Sequence, residues 1–523
     1  IYINNFDHLL MKRLFLFIGV AISCLQGWAN WNTDLSENTQ ITPTGLSYYD
    51  KALKTNKNGY TYAAFVCPAE NSMATRLQII DKDGNRTLGR GGKIVASEKN
   101  RPWLTWNQYL QLDNEGNAFL SVQDLRTSDD NLTYTIYKFS ESGEQLWNGT
   151  LLNDGNGYAM SAGLSMLNTH DDGLLCTFFY TDPEINKDVV LVEKLDKTGK
   201  SEWKKSVCQM TINSLPYPFL ADAGEDRAMI MWVDNGNIEA NIINTKTGEM
   251  EKDKPVTVYS GGFASPKVME VLNIAPTHDN GVLISTLNAN VQGSMVYVKN
   301  DLSIGLDGNT NGILFDKTED YEYGTTKPEV VYNDGDNTFS CVYKRFYKKN
   351  TRIETVYYQK VSMDGKLKWD GGKEIVAQQD EYQQAFFNLR SLGNDKCALF
   401  YLKHDNMANT VCGLVKTFDK DGNASEEETE FTTSDDNKVE LWVSEQMPDK
   451  RFFTAWDQKI DSKYYLFMQD IKIDTPTGIS LQTTSNSPEH NRYFSINGTQ
   501  RNGMGRGINI VKYGNGNTVK IAR

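Results

Sequence analysis

The residue types that most often do chemistry are thinly spread through this chain. It contains five His, of which His170, His278, His404 and His490 lie scattered, with no pair at metal-ligand spacing. His170 and His278 recur in Thr-His-Asp-Asp-Gly and Thr-His-Asp-Asn-Gly, and matching places in two repeats assign them a turn role. Cys67, Cys176, Cys208, Cys341, Cys397 and Cys412 form no zinc pattern, and most sit in apolar runs where a thiol packs as a small hydrophobe. Cys397 and Cys412 are the one pair that could face each other across a hairpin. Asp81-Lys-Asp-Gly-Asn85 and Asp419-Lys-Asp-Gly-Asn423 share the outline of calcium loops but lack the alternating ligands and the bidentate Glu, so they read as hairpin turns. No nucleophile elbow, phosphate loop, zinc-protease helix or dinucleotide fingerprint is present. The sequence assigns no catalytic residue, no metal and no cofactor.

Binding chemistry has more to work with. Six polar residues fall at the ends of the second strand of successive repeats: Asp124, Asp182, Asp234, Arg345, His404 and Asp457. Trp103 and Trp106 fall where a first strand begins, three residues apart, so along one strand they point to opposite faces. If the repeats close into a ring, these side chains share one end of it, and convergent charges focus a field that isolated ones do not. Mixed acidic and basic groups suit a ligand rich in hydroxyls or peptide groups. The competing reading is that the charges solubilise loops and the aromatics pack between repeats.

Two alternating turn signals define those repeats. The first is a polar stretch ending in Gly: Asp81 to Gly84, Ser140 to Gly143, Asp196 to Gly199, Asn244 to Gly248, Met363 to Gly365 and Asp419 to Gly422, with a weaker copy ending at Gly305. The second is Asn58-Gly59, Glu115-Gly116, Asp172-Gly173, Glu225-Asp226, Asn280-Gly281, Asp336-Asn337, Asp395-Lys396 and Asp449-Lys450. Each lies between apolar runs, as a hairpin turn does. Eight units result, each reading as four antiparallel strands, A to D. One such sheet cannot bury both faces, so the units must stack, and the predicted fold is all-β, a single propeller of eight blades. Seven blades plus an irregular unit is the alternative, because the unit around Tyr217 to Glu251 is short. Only seven D-like strands follow their own blades. Trp31-Asn-Thr-Asp-Leu35 resembles Trp147-Asn-Gly-Thr-Leu151, which predicts that it closes the ring as the missing strand.

Composition agrees. There are 26 Tyr, 22 Phe and 10 Trp beside 41 Gly, which favours pleated sheets joined by tight turns. The formal charge of −13 argues against nucleic acid or an anionic membrane as partner. Met11-Lys-Arg13, the apolar run Leu14 to Ile22 and the small-residue step Gly27-Trp-Ala29 read as an export signal cleaved after Ala29. A lipid-modified Cys24 is the alternative. No other stretch has the length and apolarity of a transmembrane helix. The expected organisation is residues 1–29 as upstream residues and signal peptide, 30–479 as propeller, and 480–523 as linker and C-terminal tail.

That tail carries Tyr493-Phe-Ser-Ile-Asn497-Gly498, then Gly507-Ile-Asn-Ile-Val511, then Thr518-Val-Lys-Ile521, three short strands with glycine turns. It resembles the C-terminal sorting tail of proteins exported by the type IX secretion system of Bacteroidetes, over about the last 45 residues. The resemblance implies passage across the outer membrane with the secretion machinery as partner, and usual removal of the tail. The residues after Gly498 depart slightly from the family's pattern. The expected function is an exported surface or secreted binding propeller for a glycan or protein. The alternatives are a propeller-based carbohydrate-active enzyme and a scaffold with no small ligand.

Overall fold

The computed structural model describes residues 31, 34–43, 51–68, 73–97, 110–127, 132–155, 163–182, 184–212, 215–266, 268–316, 322–376, 382–405, 410–433, 437–473, 492–495, 500–501, 508–512 and 518–522. The described chain is all-β apart from short helical turns, and eight antiparallel sheets follow one another along it. In the second unit, for example, Leu110–Leu112, Ala118–Asp124, Thr133–Phe139 and Gln145–Leu151 pair in sequence order. The short unit around Tyr217 is a complete blade, Phe219–Asp222 to Val256–Tyr259. The sixth blade has a split first strand, Tyr323–Thr325 and Glu329–Asn333, both pairing with Thr338–Tyr347.

Eight apolar clusters hold the sheets together, one at each seam. Tyr62 and Ala64 of blade 1 meet Ala118 and Leu120 of blade 2, and so on round to Phe400 of blade 7 against Phe452 and Trp456 of blade 8. The eighth cluster joins Phe453 and Ala455 of blade 8 to Leu53 and Phe65 of blade 1, so the ring is closed. Each B and C strand is therefore covered on both faces. Ala118–Asp124 and Thr133–Phe139 are buried at every residue, which is why they read as near-continuous apolar runs.

The last blade takes its outer strand from the N-terminal side. Thr39–Gln40 pairs with Phe467 and Met468, and the Ile41 N–H donates to Leu466 O. Closure is thus as the sequence predicts, but the paired strand is not Trp31–Leu35. Trp31 serves another purpose: it is buried against Phe453, and its indole N–H donates to the Lys82 carbonyl at 3.1 Å. Trp147 donates to Lys197 O and Trp203 to Thr245 O in the same manner. Each indole sits over the glycine of the next blade's C–D turn, Gly84, Gly199 and Gly248, all at positive φ where any side chain would meet the ring. The likeness of Trp31 to Trp147 is therefore real, but it marks a clamp between blades and not a strand.

Local turn chemistry agrees with the hairpin reading. Asp81 accepts the N–H groups of Asp83 and Asn85, and Asp419 those of Asp421 and Asn423. These carboxylates are spent inside their own turns. His170 and His278 do sit at A–B turns, and each reaches the next blade, His170 to Asp222 and His278 to Asp334 with its ring stacked on Tyr332. Cys397 and Cys412 do not face each other: Cys397 lies opposite Phe418, Cys412 opposite Lys403, and both are free thiols.

A further sheet near the C-terminus has the order Gln500–Arg501, Arg492–Ser495, Ile508–Lys512, Thr518–Ala522. It has four strands where the sequence suggests three, and its connecting turns, including Asn497-Gly498, lie outside the described residues. No helix among the described residues is long and apolar enough to cross a membrane.

Candidate functional site

Antiparallel order places the A–B and C–D turns at one end of the ring and the B–C and D–A connections at the other. The A strands of neighbouring blades approach one another around the axis. Their inner edges have no strand to pair with, so side chains from the preceding blade cap them. The Asn388 amide donates to Leu441 O at 2.9 Å, the Arg390 guanidinium to Val443 O at 2.6 Å, and Ser165 Oγ accepts the Leu220 N–H at 3.1 Å. Unpaired edge groups are thereby satisfied without another strand.

The six described candidates from the sequence lie toward the B–C and D–A end, yet no hydrogen bond or ion pair joins any two of them. Asp124 is fully buried and gripped by Arg126 two residues on, whose guanidinium bonds both its oxygens. Asp182 accepts the Glu184 N–H. Asp234 flanks the two-residue turn Asn235-Gly236 and pairs with Asn237. Arg345 reaches Asp316 at 3.3 Å and covers the Tyr323 ring at the seam of blades 5 and 6. His404 lies between the Lys344 and Lys438 charges, and burial with those two cations pushes its pKa down. Trp103 and Trp106 lie outside the described residues.

By composition the polar stretches 344–352 and 457–463 read as long B–C loops, and the structure differs. The stretches 344–352 and 457–463 are not long loops. Strand pairing runs to Tyr347↔Asn350 and Ile460↔Lys463, leaving two-residue turns. Phe346, Tyr347 and Ile460 lie among their charged residues, and backbone pairing carries both strands through what composition marks as a loop.

Asp457 consequently lies inside its strand, at the seam where the ring closes. Lys51, at the start of the first blade's A strand, pairs with Asp457 and with Glu440 of blade 8, the latter at 2.5 Å. The Asp457 side chain is 0% exposed, Lys51 11% and Glu440 29%, so the triad is open to solvent mainly through Glu440. Burial pushes the Asp457 carboxyl up to about 6, against the opposing pull of Lys51, and its Oδ1 has no hydrogen-bond partner.

Glu440 owes its position to a strained bulge. Val439 pairs with Asp457 and Leu441 with Trp456, leaving Glu440 extra at φ 53°. The neighbouring A strand has a bulge at the same level: Ala385 pairs with Leu402 and Asn388 with Phe400, so Phe386, at φ 57°, and Phe387 together face Tyr401, one residue too many. Left-handed backbone is unusual for such side chains and costs about 1–2 kcal/mol per residue. Phe387 packs inward on Tyr401, whereas Phe386 is among the few large apolar side chains left exposed. Phe386 belongs to the aromatics that cluster where first strands begin, but Lys51 and Glu440 carry no sequence signal, because neither Gly nor Asn marks the bulges and Lys51 finds its partners only on ring closure.

Deeper along the axis, Lys54, Gln111 and Arg390 share one height. Each pairs with the B-strand residue that follows a final B–C pair, namely Thr61↔Ile80, Ala118↔Phe139 and Cys397↔Phe418. Arg390 lies 3.6 Å from Glu445, and burial raises the pKa of Glu329 nearby.

No family model matches the sequence, and no curated protein matches it. Solved structures that are similar include the Dos1 propeller, at 9% identity over 83% of this chain and 95% of that one, with a TM-score of 0.43. The polysaccharide lyase Uly1 is similar at 10% identity over 64% and 93%, with a TM-score of 0.32. An α-L-arabinofuranosidase of Fusarium graminearum is similar at 10% identity over 70% and 92%, with a TM-score of 0.33. These are remote likenesses, and the eight-bladed ring rests on the chain's own strand pairing and seams.

Proposed function

We propose that the protein is an exported binding propeller that takes a glycan at the B–C and D–A end of the ring, over the innermost strands of blades 7, 8 and 1. The observation that carries this reading is the pair of adjacent left-handed bulges that present the exposed Phe386 ring and the Glu440 carboxylate. An aromatic face packs on the apolar side of a sugar ring, and a carboxylate held by an ammonium accepts hydroxyl hydrogen bonds. Asp182, Asp234, Arg345 and His404 form the wider polar rim in this proposal, Asp124 being buried under Arg126, and Trp103 and Trp106 are added as candidate aromatic contacts on their sequence alone. Binding is favoured over glycoside cleavage because Asp457, the carboxyl of this triad with a raised pKa, has no exposed side-chain surface to offer a ligand.

Export is the second half of the proposal. The signal-like N-terminus and the sorting-tail resemblance support secretion or surface display by the type IX route, with 30–479 as the functional unit and 480–523 as the address. A glycan array and a pull-down with the full chain test the ligand class. Retention of glycans that is lost in Phe386→Ala and Glu440→Gln supports the proposal. Capture of a protein through the same residues would replace the glycan by a peptide ligand, and binding unaffected by both variants would move the site elsewhere.

A further inference from the structure

Away from that mouth, the inner strands of blades 1 to 4 line a partly open pocket of about 230 Å3. Its polar lining is Lys54, Gln111 and Ser165, and its apolar lining includes Leu110, Met166 and Phe219. Lys54 and Gln111 stand at the same height on adjacent blades. Among the described residues neither side chain has a hydrogen bond or an ion pair. Other lysines within the ring are satisfied: Lys51 by Glu440 and Asp457, Lys344 by Glu354, Lys438 by Val411 O. Ser165 Oγ accepts a backbone N–H, which leaves its own proton free to donate into the pocket.

We propose that this pocket binds a compact monocarboxylate with an apolar skeleton, its carboxylate held by the Lys54 ammonium and the Gln111 amide. Three donors line the same pocket: an ammonium, an amide and a hydroxyl. A carboxylate accepts from all three, and the charge-assisted bond to Lys54 is the strongest of them. Lys54 stays exposed to the channel solvent, and the surrounding protein together with the repulsion of Arg390 pushes its pKa down, so its charged form gains from an arriving anion. Glu445 already attracts Lys54 electrostatically, and a ligand with two or more negative charges would be repelled by it. The apolar walls select carbon over hydroxyls. The volume falls below the roughly 300 Å3 at which pockets for drug-sized ligands begin, which limits the ligand to a single small ring or branched chain.

The test is calorimetry on the full chain with 3-phenylpropionate, its neutral amide 3-phenylpropanamide, and galacturonate. The acid is expected to bind at least tenfold tighter than the amide and than galacturonate. Lys54→Met should abolish the preference for acid over amide with the melting temperature unchanged. Lys54→Gln, nearer in length and polarity, reports the same loss should the methionine variant fail to fold. Equal binding of acid and amide, no binding of either, or a preference that survives both substitutions overturns the carboxylate site. Tighter binding of galacturonate overturns the apolar skeleton. Phe386→Ala should leave these results unchanged, so the pocket and the mouth stand or fall separately.

Discussion

Trp31 closes over Gly84 so tightly that a β-carbon on that glycine would stand 3.1 Å from the indole. The contact ties the segment that completes blade 8 to the C–D turn of blade 1. It also fixes where the following residues run, since Thr39–Gln40 must reach Phe467 and Met468. Trp31→Ala should cost about 3 kcal/mol through lost burial and the cavity left behind. Gly84→Ala should cost about 1–2 kcal/mol or more, combining strain at φ 88° with the clash. Thermal melts of both variants check this, and an unchanged midpoint in Trp31→Ala would show that the clamp does not support closure.

Asp457 makes stability depend on pH in a direction opposite to most carboxylates. Its pKa rises from 3.8 to about 6 on folding, so between those values the native state holds a proton that the unfolded chain releases. Stability from this group is full below pH 3.8 and is lost as pH climbs through 6. The loss is about 3 kcal/mol by the usual conversion of two pKa units. Asp457→Asn should flatten the change in melting temperature between pH 4 and 7 and leave stability at pH 7.5 equal or higher. A variant whose pH profile matches the parent's would show that Lys51 fully compensates the charge.

On the glycan-binding proposal, function and not stability accounts for the left-handed backbone at Phe386. Phe386→Gly should remove about 1 kcal/mol of left-handed strain, offsetting the burial lost from a partly exposed ring. The expected result is a melting temperature within a degree or two of the parent and at least a tenfold loss of glycan retention. Strong destabilisation with retention intact would make the bulge a packing device.

Removal of residues 480–523 should leave the melting of the ring unchanged while stopping export at the periplasm. Fractionation of cells expressing the truncated chain gives the readout. Normal secretion of that form would remove the sorting role from the tail.

The repeat is legible in the sequence because its signals are short-range. Asp81, Asp196 and Asp419 shape their own turns through N–H groups two and four residues away, so the hairpins can be read without knowing their neighbours. Seam partners cannot be read this way. Lys51 meets Glu440 only because blade 1 lands beside blade 8, and nothing near either residue announces it. The strands around Arg345 and Asp457 extend further than their composition suggests, because backbone pairing continues past both residues and each finds an ionic partner across a seam. The aromatic likeness at Trp31 gives the right contact and the wrong strand, since clamp and pairing lie several residues apart.

Ring closure also sets the order in which the molecule can be finished. The Thr42 hydroxyl accepts the N–H of Leu466, a partner 424 residues later in the chain. During synthesis the N-terminal strand emerges first and must wait for almost the whole protein to follow. Blades 1 to 7 can assemble against one another through local hairpins, but they leave an open arc with a bare face at each end. The final step is a long-range loop closure, slow compared with hairpin formation. A chain that crosses a membrane before folding postpones that step until both ends have arrived, and the arc, not the ring, is the form that a chaperone would meet.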